Sequence, residues 1–148
     1  MPLWEAHFPQ LGKWIKSSER TDSYNCAAFA AGEDTQKWDP YPPGVHFWPS
    51  GLNRGYSVQH FVEAYRTIGY DSCADGMLDP YFEKIVLYTN NYGGVEHVAR
   101  QLSDGSWTSK MGDEEDIIHE NPQALSGGYG HPTVYMQRVL RFGEHKDA

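Results

Sequence analysis

Cysteine is scarce in this chain: Cys26 and Cys73 are the only thiols among 148 residues. Two thiols in dissimilar surroundings are too few for a disulfide scaffold, so reduced cysteines are expected. Cations are also in short supply, with 12 Lys and Arg against 20 Asp and Glu and a net charge of -8. No basic run gathers them, and a phosphate backbone would be repelled, which excludes nucleic acid as an expected partner. No stretch approaches the roughly 20 apolar residues that span a bilayer, and Met1-Pro2-Leu3-Trp4-Glu5 lacks the basic and apolar regions of an export signal. The expectation is a cytoplasmic protein without a membrane partner, with delivery as an effector by dedicated machinery compatible with it. Repeats, low-complexity tracts and linkers are missing as well, so residues 1–148 are expected to form one domain. Neither a metal nor a cofactor is expected.

Aromatics are abundant. Five Trp, ten Tyr and six Phe, within 39% hydrophobic residues, supply the burial that offsets the entropy of ordering a chain of this length. An Ala-rich segment from Tyr24 to Ala31, stopped by Gly32, reads as a helix with Asp22 or Ser23 as its cap. The prolines and glycines between Glu33 and Tyr56 exclude regular structure there and predict a long ordered loop carrying Trp38, Tyr41, Phe47 and Trp48. Ser57 caps a second helix whose apolar residues Val58, Phe61, Val62, Tyr65 and Ile68 form one stripe, ended by Gly69. Strands follow at Lys84 to Tyr88, Val95 to Leu102, Ser106 to Met111 and Thr133 to Phe142, with Ser103-Asp104-Gly105 as a hairpin turn. Asn121-Pro122 opens a short helix to Leu125.

Cys26 stands in the first turn of the first helix. A helix N-terminus stabilises a thiolate, and its free N–H groups can bind a developing oxyanion. Of seven histidines, His97 in the middle of the strand-rich region is the best placed to serve as its base. By residue type alone, a cysteine in an Ala-rich helix is a small buried hydrophobe, and a strand histidine is a core residue bonded to a carbonyl.

Asn25-Cys26-Ala27-Ala28-Phe29-Ala30 resembles the helix-start motif of the NlpC-type members of the papain-like superfamily. His97-Val98-Ala99-Arg100-Gln101-Leu102-Ser103-Asp104-Gly105 resembles their His-bearing strand and hairpin, in the same order along the chain. The resemblance runs over residues 22 to 119. It implies an α+β fold in which an N-terminal helix carrying the cysteine packs on an antiparallel sheet. It further implies a thiol-dependent hydrolase or acyltransferase acting on an amide of a peptide or protein substrate, be it peptide bond, isopeptide or glutamine side chain. Cys26 would be nucleophile and His97 base. In that group a polar residue on the next strand orients the imidazole; overlaying the hairpins puts Ser109 there, with Asp116 and His119 as substitutes. Tyr24, Asn25 and, from the aromatic loop, Trp48 are candidates for the substrate and oxyanion side. The Asn-Cys, His-Val-Ala-Arg-Gln and Trp-Thr-Ser-Lys segments also resemble an uncharacterised bacterial domain family.

Other functions use overlapping residues. A non-catalytic papain-like module would bind a partner through the loop from Trp38 to Trp48. A metal-independent nuclease would use His97, Lys110 and His119. A metal site from Asp116, His119 and His131 has no recognised ligand spacing. The acidic run from Asp113 to Asp116 reads as a solvated turn.

Overall fold

The computed structural model describes residues 2–140, and Phe142, the expected end of the last strand, lies outside the described residues. Seven antiparallel strands form one sheet in the order β1-β6-β5-β4-β3-β7-β2. They are β1 (Trp14–Ser18), β2 (Asp71–Cys73), β3 (Phe82–Thr89), β4 (Val95–Gln101), β5 (Trp107–Lys110), β6 (Asp116–His119) and β7 (His131–Val139). Strands β3 to β6 run as a meander, β7 returns to the other side of β3, and β1 closes the far edge on β6.

The expected α+β, papain-like fold is overturned. The helices are few and short, with five residues in α1 (Cys26–Ala30) and nine in α2 (Val58–Arg66), beside two 3-10 turns at Leu3–His7 and Pro122–Leu125. The chain enters through a 3-10 turn and an edge strand, so no N-terminal helix forms a layer against the sheet. The reason is hydrogen-bond supply. β1 and β6, neither of which has an apolar run, become strands because each satisfies the other's backbone: Trp14 pairs with His119, Ile15 with Ile118 and Lys16 with Ile117. The acidic stretch expected to be a solvated turn is accordingly divided: Asp116 is a strand residue only 2% exposed, whereas Asp113 is exposed.

Side-chain alternation splits the core into two clusters, one on each face of the sheet. On one face, Ile85, Leu87, Val98 and Met136 pack with the α1 alanines Ala27, Ala28 and Ala30, with Phe61 and Tyr65 of α2, and with Trp38 and Trp48 of the aromatic loop. On the other, Val86, Tyr88, Ala99, Trp107 and Ile117 pack with Phe8, Leu11, Ala124 and Leu125. Tyr65 ties α2 to α1 by donating to the Ala27 carbonyl at 2.7 Å. The hairpin between β4 and β5 turns at Gly105, whose φ of 89° suits a residue without Cβ.

Candidate functional site

Cys26 is the first residue of α1, and the cap is Asn25, one position before it, where the sequence had pointed to Asp22 or Ser23. Asn25 is committed on every side: Oδ1 accepts from the Ala28 and Trp38 N–H groups, and Nδ2 donates to the Trp38 carbonyl at 2.7 Å. One amide therefore fixes both the start of the helix and the entry of the aromatic loop.

Cys26 is half-buried at the start of α1, which packs against β4 and β5. β4 and β5 pair only at Arg100 with Thr108 and Gln101 with Trp107, so beyond Arg100 the N–H of Val98 is turned to the sulfur instead. Burial pushes the thiol up, while hydrogen bonds from the Val98, Ala27 and Cys26 N–H groups and the charge of Lys110 pull it back down.

His97 is next to Val98 on β4, and alternation turns its ring to the opposite face from α1. It stands on Tyr88 at 5.3 Å and stacks on Tyr129 at 4.3 Å and 7°. Burial, with Cys26 as a lesser influence, pushes the Tyr129 hydroxyl up. Gly130 holds the segment there: a Cβ at that position would fall 2.2 Å from the Thr89 carbonyl oxygen. Among the described residues the His97 Nε2 has no hydrogen-bond partner, and burial together with neighbouring His119 holds the ring well below the usual imidazole range. Ser109 and His119 share this face and bind each other, Oγ to Nε2 at 2.8 Å, while the other ring nitrogen of His119 meets the Asn121 carbonyl at 2.9 Å. Burial takes His119 down to about 4.

Asp116 lies across the sheet from these groups. Its Oδ2 accepts from Ser18 and, at 2.5 Å, from the Tyr24 hydroxyl, whose ring stacks on Phe29. Lys110, completely buried, sits 5.5 Å from the centroid of the Tyr24 ring and donates to the Glu114 carbonyl. Burial lowers this ammonium, against Asp116 and the acidic turn after it. Ser17, Ser18, Phe29, Arg100, Thr108 and Asp116 are among the residues lining a cavity of about 560 Å³ on this face.

The candidate residues therefore fall into two groups. Cys26, Tyr24, Asn25 and Asp116 belong to the α1 face, and His97, Ser109 and His119 to the other. Trp48 is 5% exposed and packs edge-on to Phe61, inside the core. The three nuclease candidates are divided, because Lys110 points to the α1 face and both histidines away from it. Asp116 and His119, three apart on one strand, likewise face opposite ways, and no group of three metal-ligating side chains forms among the described residues. Sequence reasoning missed Ser18 and Tyr129. Ser18 is one of several serines in a polar stretch, and Tyr129 sits in a glycine-rich turn that gives no periodic signal. The Ser-Lys of Trp107-Thr108-Ser109-Lys110 was visible as a segment, but only the sheet gives its two residues opposite surroundings.

No helix among the described residues is long and apolar enough to cross a membrane. Comparison with the curated proteins gives no match, and neither does comparison with the solved structures. Nothing in these comparisons supports the papain-like superfamily. One protein-family profile does match, over residues 15–137, a span that runs from the second residue of β1 into β7 and includes both helices and strands β2 to β6. The chain belongs to the family of that profile, described as a domain of unknown function, DUF7689.

Proposed function

We propose that the protein is a thiol-dependent hydrolase or acyltransferase acting on an amide, with Cys26 as nucleophile and His97 as base. What supports this reading is that Cys26 opens α1 against β4, where main-chain N–H groups oppose the effect of burial on its thiol, and that His97, next to Val98 on β4, is a buried, neutral imidazole. A thiol raised by burial and an imidazole lowered by it rest as a neutral pair, so charge is created only on attack. The sulfur forms a bond to the carbonyl carbon and its proton is taken by His97, which requires the imidazole, on the other face of the sheet from α1, to reach the thiol past the end of the β4–β5 pairing. The Cys26 and Ala27 N–H groups at the start of α1 hold the oxyanion. Collapse returns the proton to the leaving amine, and water or a second amine then releases the acyl group from sulfur.

A second reading is favoured by one observation: Ser109 is spent on His119 rather than on His97, whose Nε2 has no hydrogen-bond partner among the described residues. A non-catalytic binding module fits that arrangement. The two readings separate with p-nitrophenyl acetate. A catalytic thiol gives a burst of nitrophenolate stoichiometric with protein and an acetyl group on Cys26 by mass spectrometry. Cys26→Ala abolishes both, His97→Ala slows the burst by about 10²-fold or more, and Cys73→Ser leaves it unchanged. A burst that survives Cys26→Ala, or an equal absence of acetylation in wild type and variant, would remove the enzyme reading.

A further inference from the structure

We propose that Lys110 is a positioning residue for Cys26, its ammonium being the cation that the sulfur meets as it becomes a thiolate. The placement follows from strand register. Arg100 on β4 pairs with Thr108 on β5; Val98 and Lys110 each lie two residues from that pair, in the directions that keep them level, and alternation turns both side chains to the α1 face. Val98 packs in one cluster with the α1 alanines, and its N–H is turned to the Cys26 sulfur. Lys110 therefore stands one strand over from the residue the thiol rests on, and α1 packs against both strands. The next rung outward is Asp116, paired with Lys110 on β6, and then Ser18 on β1. One row across the sheet thus reads hydroxyl, carboxylate, ammonium, thiol.

A buried ammonium is stable only among anions and hydrogen-bond acceptors, and a thiolate formed beside it is favoured by the same attraction. Lys110 has no exposed surface, donates to the Glu114 carbonyl and lies 5.5 Å from the centroid of the Tyr24 ring, two residues before Cys26. Burial opposes its charge, and Asp116, Asp113, Glu114 and Glu115 support it. Asp116 in turn is held by the Ser18 and Tyr24 hydroxyls, so the carboxylate stays on the far side of the ammonium from the thiol. The other elements around Cys26 bring no second cation to this row. Tyr65 of α2 and Tyr129 bear on the thiol as neutral hydroxyls, each pushed up by burial. Arg100 shares the α1 face but stands over Phe29, about one turn further along the helix. Further out, Asp34 bears on Tyr24, and Asp104 lines the cavity with Asp116. Burial raises the Cys26 thiol most, and the Lys110 charge is among the influences that lower it.

The assignment rests on the reading of Cys26 as nucleophile, but its test needs no turnover. In full-length protein carrying Cys73→Ser, alkylation of Cys26 by iodoacetamide is followed by mass spectrometry from neutral to alkaline pH. Lys110→Met slows the reaction at pH 7.5 by about tenfold, because less thiolate forms, and the two rates converge as rising pH takes the proton from Lys110 itself. Mere loosening of α1 would do the opposite and speed alkylation throughout. An unchanged or faster rate at pH 7.5 in folded Lys110→Met overturns the assignment. Should that variant fail to fold, the charge of the reagent decides. At low ionic strength the ratio of iodoacetate to iodoacetamide rates should be several-fold higher at Cys26 than at N-acetylcysteine amide, and an equal or lower ratio has the same consequence. Either failure leaves acetylation of Cys26 by p-nitrophenyl acetate, and with it the proposed nucleophile, untouched.

Discussion

The two faces of β4, β5 and β6 bury polar side chains in opposite electrical states. On the α1 side, Lys110 and Asp116 lie within each other's field, and each is held by local groups: the Tyr24 ring and Glu114 carbonyl for one, the Ser18 and Tyr24 hydroxyls for the other. On the opposite side, His97 and His119 lie among Tyr88, Trp107, Ile117 and Tyr129, and burial removes their charge instead. The same three strands thus supply a face where charged groups are buried near one another and a face where burial disfavours the protonated imidazole. Cys26 begins α1 on the charged side, within the influence of the Val98 amide of β4 and of Lys110.

The largest expected effect lies on the charged face. Asp116→Ala leaves the Ser18 and Tyr24 hydroxyls without their acceptor and Lys110 without its nearest counter-charge, and should cost about 3–5 kcal/mol in urea unfolding. A loss under about 1 kcal/mol would mean that this face is effectively solvated and that the contrast is false.

Acid should attack the neutral face next. Unfolded His119 binds a proton near pH 6.5, and folded His119 only near about 4, so the unfolded state carries more protons between those values. Stability from this group is complete above pH 6.5 and falls as pH drops towards 4, by up to about 3 kcal/mol. His97 adds to the loss in the same direction. Comparing urea midpoints from pH 7 to pH 4, His119→Asn should flatten the dependence relative to wild type; a parallel slope would show that the imidazole is protonated in the fold.

A smaller change sharpens the role of the helix start. Asn25→Ala removes the cap of α1 and the anchor of Trp38, for about 1–2 kcal/mol. Because the helix start then frays, alkylation of Cys26 by iodoacetamide should accelerate relative to wild type at the same pH. An unchanged rate would place the control of the thiol in the sheet rather than in the helix.

Much of the local structure was legible. The stripe Val58, Phe61, Val62 and Tyr65 has helical spacing and α2 covers it; Asn121-Pro122 carries the signals of a helix start, and Asn121 caps the 3-10 turn by accepting from Ala124 at 3.0 Å. The Asp104-Gly105 turn and the strand after it read directly from residue type. The fold class did not. β1, β2 and β6 are three to five residues long and carry no sustained alternation, so only their partners make them strands. For the site, Cys26 and its helix could be found because a cap and an Ala-rich run are neighbours in sequence. Asp116 could be singled out only as a polar residue downstream of the hairpin, since its hydroxyl partners are 98 and 92 residues away.

By itself the sequence determined where backbone direction changes and which segments carry an apolar face, because capping, turn geometry and periodicity act over a few residues. Tertiary structure alone decided that His97 and Lys110 face opposite ways, that β5 leaves β4 at the Cys26 thiol, and that Asp116 is buried with one oxygen unsatisfied. Those properties depend on strand register and on which distant groups share a low-dielectric space. No local pattern encodes either.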